Sequence, residues 1–415
     1  MKLVSLREPS APDSSLIYDW NAGGDARPAP LTVTLLDETL RDGLQSPSVR
    51  NPSLTEKLAG LELMNELGIE YVNVGLPSAS PRALSEAVEL CRAIATQRYA
   101  IRPVCAGRTL VDDVQSIIEV SQQAGLPVEA SLFVGSSPIR AVAEDWDLDL
   151  LLSRSKSAID AARQADLPVT FVTEDSTRAR PETLRALFLL AVERGAARIC
   201  LCDTVGFATP EGVAAVTRFS REIVGDRIGI DWHGHNDRGL AVANALSAAR
   251  AGADRLHATA LGVGERVGNP PMEQLLVNLL LSNAPRTLTS ISSYCEHFAR
   301  VLGIVISDNQ PLVGKNAFRT ATGVHASAIT KAEAKSHWLG DHVYSFLAAA
   351  SIGQHASIGI GPMSGASNVK HWLASHDISP SVPLQRAIME RAKSADRVLT
   401  DEELLSVVSR VRREM

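Results

Sequence analysis

Residues 32–47 read TVTLLDETLRDGLQSP, an apolar, β-branched run that empties into Asp37, Glu38, Arg41 and Asp42. An open, doubly wound sheet is expected to carry a glycine-rich phosphate turn after its first strand, with an acid about twenty residues further on. TLRDGLQ stands there instead. Seven more short apolar runs follow: YVNVG from Tyr71, IRPVCA from Ile101, PVEASLFV from Pro127, PVTFVTE from Pro168, ARICLCD from Ala197, RIGIDWH from Arg227 and DRLHATA from Asp254. Between them lie stretches of helical periodicity such as TEKLAGLELMNELG and VDDVQSIIEVSQQAG, several closing on the glycine that favours a helix end. Eight strand and helix units over about 250 residues predict an α/β fold, a closed (β/α)8 TIM barrel.

The expected organisation is a flexible N-terminal arm over residues 1–30, a catalytic barrel over 31–283 and a helical C-terminal subdomain over 284–415. Helices are expected over 288–307 and 323–339, a Gly, Ser and Ala rich connector over 341–368, and two more helices over 380–415. Thr400 and Glu403 form a capping-box pattern before the last. This tail is expected to cover the active site and to supply a dimer interface, making the protein a homodimer.

The composition belongs to a globular protein: 415 residues, 45% hydrophobic and 21% charged, with a formal net charge of -6. No segment concentrates Lys and Arg, so neither nucleic acid nor a membrane surface is indicated as a partner. No run of about eighteen apolar residues could span a bilayer. Five scattered cysteines without a CxxC pair suggest neither a disulfide framework nor a zinc ribbon, and fit a reducing cytoplasm. Cys200 and Cys202 alternate along one strand and read as small buried hydrophobes. The composition therefore directs attention to small-molecule chemistry.

In such barrels, function gathers where strands run out into the following loops. The seventh strand ends in DWHGHNDRG, and residues at i and i+2 on a strand share a side, so His233 and His235 offer convergent imidazoles. Only strand 8 separates strands 1 and 7 around a closed barrel, which brings the Asp42 carboxylate within reach of the same ion. Asn269, after GVGERVG, falls in the sector between them. One carboxylate, two imidazoles and an amide oxygen suit Mg, Mn, Zn or Co with open positions for a chelating substrate. Strand 5 adds Glu174 and Asp175; strand 6 adds Asp203 and Thr204. Thr209 before Pro210 reads as a helix cap.

LRDGLQ, FVTEDSTR, CDTVGFATP, HGHNDRGLAVA, GVGERVGNPP and NAFRTATGVHASAITK resemble the 2-isopropylmalate synthase and homocitrate synthase family over about residues 31–370. The resemblance implies a metal-dependent barrel that condenses acetyl-CoA with a 2-oxo acid. It makes Asp42, His233 and His235 metal ligands with Asn269 at the site, sets Arg41 against the 2-oxo acid's carbonyl oxygen, and sets Thr204 against its carboxylate. Gln45 is expected to touch substrate. His325 in GVHAS matches the family's catalytic histidine, with Glu174 and Tyr344 as its companions. Asp37 and Glu38 are expected in supporting roles.

Three departures from the family pattern bear on substrate. Leu44 stands where many of these synthases have an acid; facing the oxo acid, it would disfavour a second carboxylate. Ser131 stands where many relatives have histidine, and neither a C-terminal leucine-binding regulatory domain nor leucine feedback is expected. A hydroxymethylglutaryl-CoA lyase, the alternative cleavage enzyme, carries a cysteine in a glycine-rich loop after the last strand, where this chain has GVGERVGNPP. A catalytically inactive barrel serving as a binding protein would be expected to lose Asp42, His233 or His235. A pyruvate-type aldolase would not need the GVHAS segment.

Overall fold

A computed structural model describes residues 16–18, 20–22, 31–281 and 286–414; apart from residues 16–18 and 20–22, the expected N-terminal arm lies outside the described residues. Eight parallel strands close into a barrel in the order of the chain. They are β1 (Thr34–Asp37), β2 (Tyr71–Asn73), β3 (Arg102–Arg108), β4 (Glu129–Gly135), β5 (Val169–Glu174), β6 (Arg198–Asp203), β7 (Gly229–Gly234) and β8 (Arg255–Ala258). Closure is made where Thr34 to Asp37 pair with Arg255 to Ala258. All eight expected strands are present.

The outer ring follows from local signals. Helix α1 (Leu54–Glu66) starts in a Ser53/Glu56 capping box. α2 (Pro81–Gln97) begins with Pro after a Ser80 cap, and α3 (Val111–Ala124) ends on left-handed Gly125. α4 (Pro138–Glu144), a short helix not foreseen from the sequence, precedes α5 (Leu148–Gln164), α6 (Pro181–Glu193), α7 (Pro210–Val224) and α8 (Ala241–Arg250). Thr209 does cap α7, accepting from the Gly212 amide. α9 (Met272–Leu281) follows β8.

The described chain divides into two compact units, residues 31–305 and residues 306–414, the second together with residues 16–18 and 20–22. The barrel unit thus runs past residue 283 and takes in α10 (Ile291–Leu302). The reason is chemical: the buried Tyr294 hydroxyl donates to Asp37 at the end of β1, at 2.5 Å. Burial in turn lifts the Asp37 carboxyl from its ordinary 3.8 to about 6.

The second unit holds a two-stranded pair, β9 (Arg319–Thr320) with β10 (Ser357–Ile358), and α11 (Gly323–Glu333), α12 (His337–His342), α13 (Ala366–Ser375), α14 (Val382–Lys393) and α15 (Asp401–Glu414). Asn368, Val369, Trp372 and Leu373 recur at helical spacing and are buried, so α13 forms where a connector was expected to be ending. Thr400 and Glu403 exchange hydrogen bonds before α15, as their spacing predicts.

The barrel interior is ionic at one level. Arg255, fully buried on β8, donates to Asp231 on β7 at 2.7 Å, to Glu129 on β4 at 2.5 and 3.1 Å, and to Thr170 on β5 at 3.0 Å. Arg198 on β6 donates to the other Asp231 oxygen at 2.5 Å. Removing one partner from a buried charge set leaves the others unpaired. Arg255→Ala is therefore expected to lower the unfolding free energy by about 3–5 kcal/mol, read from the shift of the urea midpoint. A loss below about 1 kcal/mol, the range of surface pairs, would show that water already solvates these groups.

Candidate active site and metal centre

Beyond β1 the chain turns sharply: the Thr39 amide donates to Asp37 at 2.8 Å, and residues Gly43–Gln45 make one short helical turn. This delivers Asp42, 1% exposed, beneath two imidazoles. Its Oδ2 lies 3.2 Å from His233 Nε2 and 3.7 Å from His235 Nε2. One ligand atom from each of the three lies within 4.8 Å of the others. His233 is the fifth residue of β7 and His235 stands one residue past its end, so alternation aims both into the barrel mouth.

Asn269 completes the sector as its sequence position suggests. Its Nδ2 donates to the Val263 carbonyl at 3.2 Å, while its buried Oδ1 has no hydrogen-bond partner. The GVGERVGN loop must fold back on itself to hold it there. A side chain at Gly268 would run into the Gly262 carbonyl and one at Gly264 into the Asn269 amide, and both glycines have positive φ. The Glu265 amide, in the same loop, donates to Asp42 at 3.3 Å. A carboxylate, two imidazoles and a free amide oxygen make a donor set that fits a divalent cation.

The charges differ between the two imidazoles. Burial works against the Asp42 carboxylate, but the charges of Arg41 and His233 outweigh it and hold the carboxyl well below its usual range. His233 is raised, because its bond to Asp42 overcomes burial. His235 falls to about 4 through burial and the nearby His233 charge, and is neutral at physiological pH, the form that can hold a cation.

A cavity of about 330 Å³ gathers Arg41, Asp42, Gln45, Glu174, Thr204, His233 and His235 on its wall. Arg41 donates to Glu38 at 2.7 Å and stands 3.8 Å from Asp42. Thr204 Oγ1 accepts from the Asp175 amide at 2.8 Å. The Glu174 carboxyl is raised by burial, against the pull of Arg140 at 3.8 Å. Asp203 is drawn off instead into a loop cap, accepting from Thr177 and the Phe207 and Ala208 amides.

Leu44 departs from expectation. It lines an adjoining cavity of about 230 Å³ with Lys57, Leu76 and Glu86, and not the wall that holds the imidazoles. The short turn at Gly43–Gln45 points consecutive side chains in different directions, so Arg41 and Gln45 border both cavities while Leu44 borders one. His325 and Tyr344 belong to the C-terminal unit. There their rings pack 4.0 Å apart at 32° beside a cavity of about 240 Å³.

Sequence reasoning missed His257 and understated Glu38. His257 faces the main cavity, its Nε2 3.1 Å from Asp231 and its Nδ1 3.5 Å from Glu38. With Glu38 and His233 it forms a second cluster of potential ligands. Its position two residues beyond Arg255 on β8 was the available signal, since the two must share a face.

The fold and site define a closed parallel barrel with a carboxylate and two imidazoles at its strand ends, a donor set that fits a divalent cation. The chain belongs to the HMGL-like family, whose sequence profile matches residues 32–294. It is 33% identical over 304 residues to homocitrate synthase AksA of Methanosarcina mazei, covering 72% of each chain. It is 30% identical over 375 residues to 2-isopropylmalate synthase of Lactococcus lactis subsp. cremoris, covering 87% of this chain and 70% of that one. Against other relatives the chain spans less, down to 60% of their length. Among solved structures, hydroxymethylglutaryl-CoA lyase from Pseudomonas aeruginosa shares the barrel at a TM-score of 0.58 and 20% identity, covering 67% of this chain and 95% of that one.

Asp42→Ala and His235→Ala are each expected to weaken Mn(II) binding by more than about 100-fold, beyond the 10- to 100-fold typical of residues that only support ligands. Titration calorimetry on the folded variants reads this directly. An unchanged Kd in both would move the cation elsewhere.

Proposed function

We propose that the protein condenses acetyl-CoA with a 2-oxo acid to give a 2-substituted malate and CoA. The observation that carries the reading is the Asp42, His233 and His235 cluster sharing one cavity wall with Arg41 and Thr204. The synthase names of the relatives support it. A lyase reading is supported only by fold-level likeness at 20% identity. The cation is Mg, Mn, Zn or Co, held by Asp42, His233, His235 and Asn269; when bound it would act as a Lewis acid on the oxo acid's carbonyl.

The residues divide the work as follows. Arg41 offers a fixed positive charge to the carbonyl oxygen as the new C–C bond pushes electrons onto it. Thr204, whose oxygen already accepts from Asp175, keeps its hydroxyl proton to donate to the substrate carboxylate. Gln45 borders the same cavity and serves as a further polar contact. We assign removal of the acetyl methyl proton to His325, with Tyr344 and Glu174 as companions. Water then attacks the thioester carbonyl, the C–S bond breaks, and CoA leaves as the thiol. The working unit is a homodimer in a reducing cytoplasm; all five cysteines are free and buried, and no described helix is long and apolar enough to cross a membrane.

The substrate class follows from the charges. Both cations on the cavity wall are engaged: Arg41 by Glu38, and Arg266 by Asp237 at 2.9 and 3.0 Å. Leu76, Ala106, Phe133 and Val172 make the apolar part of the wall. A second, distal carboxylate would be buried with no unpaired arginine to meet it, which is unfavourable.

With acetyl-CoA and a divalent cation, the protein is expected to release free CoA with aliphatic or aromatic 2-oxo acids in preference to 2-oxoglutarate, followed by a thiol reagent. No thiol release across aliphatic, aromatic and dicarboxylic members would refute the synthase reading. For His325→Ala, oxo acid binding is expected to persist while exchange of the acetyl protons with solvent stops. Undiminished exchange in that variant would remove His325 as the base.

A further inference from the structure

The main cavity holds a feature the proposed reaction does not use. Cys200 and Cys202 lie two residues apart on β6, so alternation puts both side chains on the inner face of the barrel, and both border the cavity. Their sulfurs are 4.0 Å apart. Neighbouring strands fix them: Cys202 is in register with His233 and Cys200 with Asp231. The Cys200 carbonyl accepts from Thr173 and the Cys202 amide donates to Ser176, at 3.1 and 3.0 Å. The result is a rigid dithiol facing a polar space, close enough to Arg41 and His233 for Cys202 to enter the electrostatics of both.

Two thiols so placed can bond to each other or share one thiophilic atom. A disulfide needs sulfurs at about 2.05 Å and Cβ atoms at about 3.8 Å. Strand alternation opposes that, because side chains at i and i+2 stand roughly parallel along a pleated backbone. A single larger atom bonded to both sulfurs keeps them apart and leaves the strand undistorted. The atom must arrive small and uncharged, since both thiols are buried.

We propose that Cys200 and Cys202 form a chelating site for trivalent arsenic, taken up as neutral arsenous acid. The step is a condensation: As(OH)3 exchanges two hydroxyls for the two sulfurs, each thiol proton leaves with a departing hydroxyl as water, and the product is a cyclic dithioarsenite bearing one hydroxyl. No electrons are transferred. The site lies on the wall that holds Arg41 and His233, so occupation also obstructs the cavity. This placement makes arsenous acid an inhibitor of whatever reaction the cavity performs, and the binding claim stands apart from the identity of that reaction.

The test is native mass spectrometry of the full chain, equilibrated with sodium arsenite at neutral pH, joined to arsenic K-edge X-ray absorption. One arsenic per chain is expected, with two sulfurs and one oxygen in its coordination shell. Cys200→Ser and Cys202→Ser are each expected to weaken binding by at least about a hundredfold, the loss on removing one of two linked binding groups. Cys91→Ser is expected to change nothing. Absence of an adduct, an adduct that survives both Cys200→Ser and Cys202→Ser, or a shell with one or three sulfurs would overturn the proposal. The absorption arm uses the unaltered protein, so it decides the matter even should a serine variant fail to fold.

Discussion

The Arg255 guanidinium crosses the barrel interior, and the rest of the site is arranged around what it demands. A fully buried cation needs partners on every side. Here β4, β5 and β7 supply them through Glu129, Thr170 and Asp231, and Tyr71 on β2 closes the remaining face with its ring 4.3 Å from the guanidinium. Arg198 brings a second cation, so two arginines balance two carboxylates. Strands linked in this way cannot slide independently. The register that brings His233 opposite Cys202, and Arg255 opposite Thr34, is thereby held by charge as well as by backbone pairing.

The same network reaches the mouth of the barrel. Asp231 holds His257, His257 faces Glu38, and Glu38 grips Arg41. Arg41 in turn stands beside Asp42, where it competes with any bound cation for the same carboxylate. That competition is moderated because Glu38 neutralises much of the arginine's charge. Without Glu38, an arginine 3.8 Å from a metal-binding carboxylate would oppose the cation directly. Glu38 would thus let one short loop serve two positive charges, the fixed arginine and a bound cation.

The alternation of strands and helices made the barrel legible, because every strand is bounded by local signals and the hydrophobic period changes visibly between elements. The convergence of Asp42, His233 and His235 was legible for a related reason: all three sit at or just past strand ends, where the topology alone brings them together. Partnerships across the barrel were not. Arg255 and Glu129 are separated by 126 positions, and no local pattern joins them. Likewise α10 reads as the start of a tail, yet one buried hydroxyl on Tyr294, matched to Asp37, binds it to the barrel. Side-chain direction within a tight turn was also beyond periodicity, which is why the adjoining cavity that Leu44 lines was not foreseen.

The displacement of Leu44 changes how substrate choice must be explained. An apolar residue can discourage a charged substrate only where the two would meet, and Leu44 meets the neighbouring cavity. Under the proposed reaction, discrimination would come instead from the electrostatics of the main wall, where Glu38, Asp42, Glu174 and Glu265 outnumber Arg41 and Arg266, and both arginines are already paired. In that reaction such a wall would tolerate one substrate carboxylate, received by Thr204 and the cation. A second would find acids, apolar groups and engaged arginines, with neutral polar groups such as Gln45 and Ser131 but no unpaired arginine to receive it. Selectivity would then reside in which cations are left unpaired, a property of Glu38 and Asp237 that no single pocket-lining position reveals.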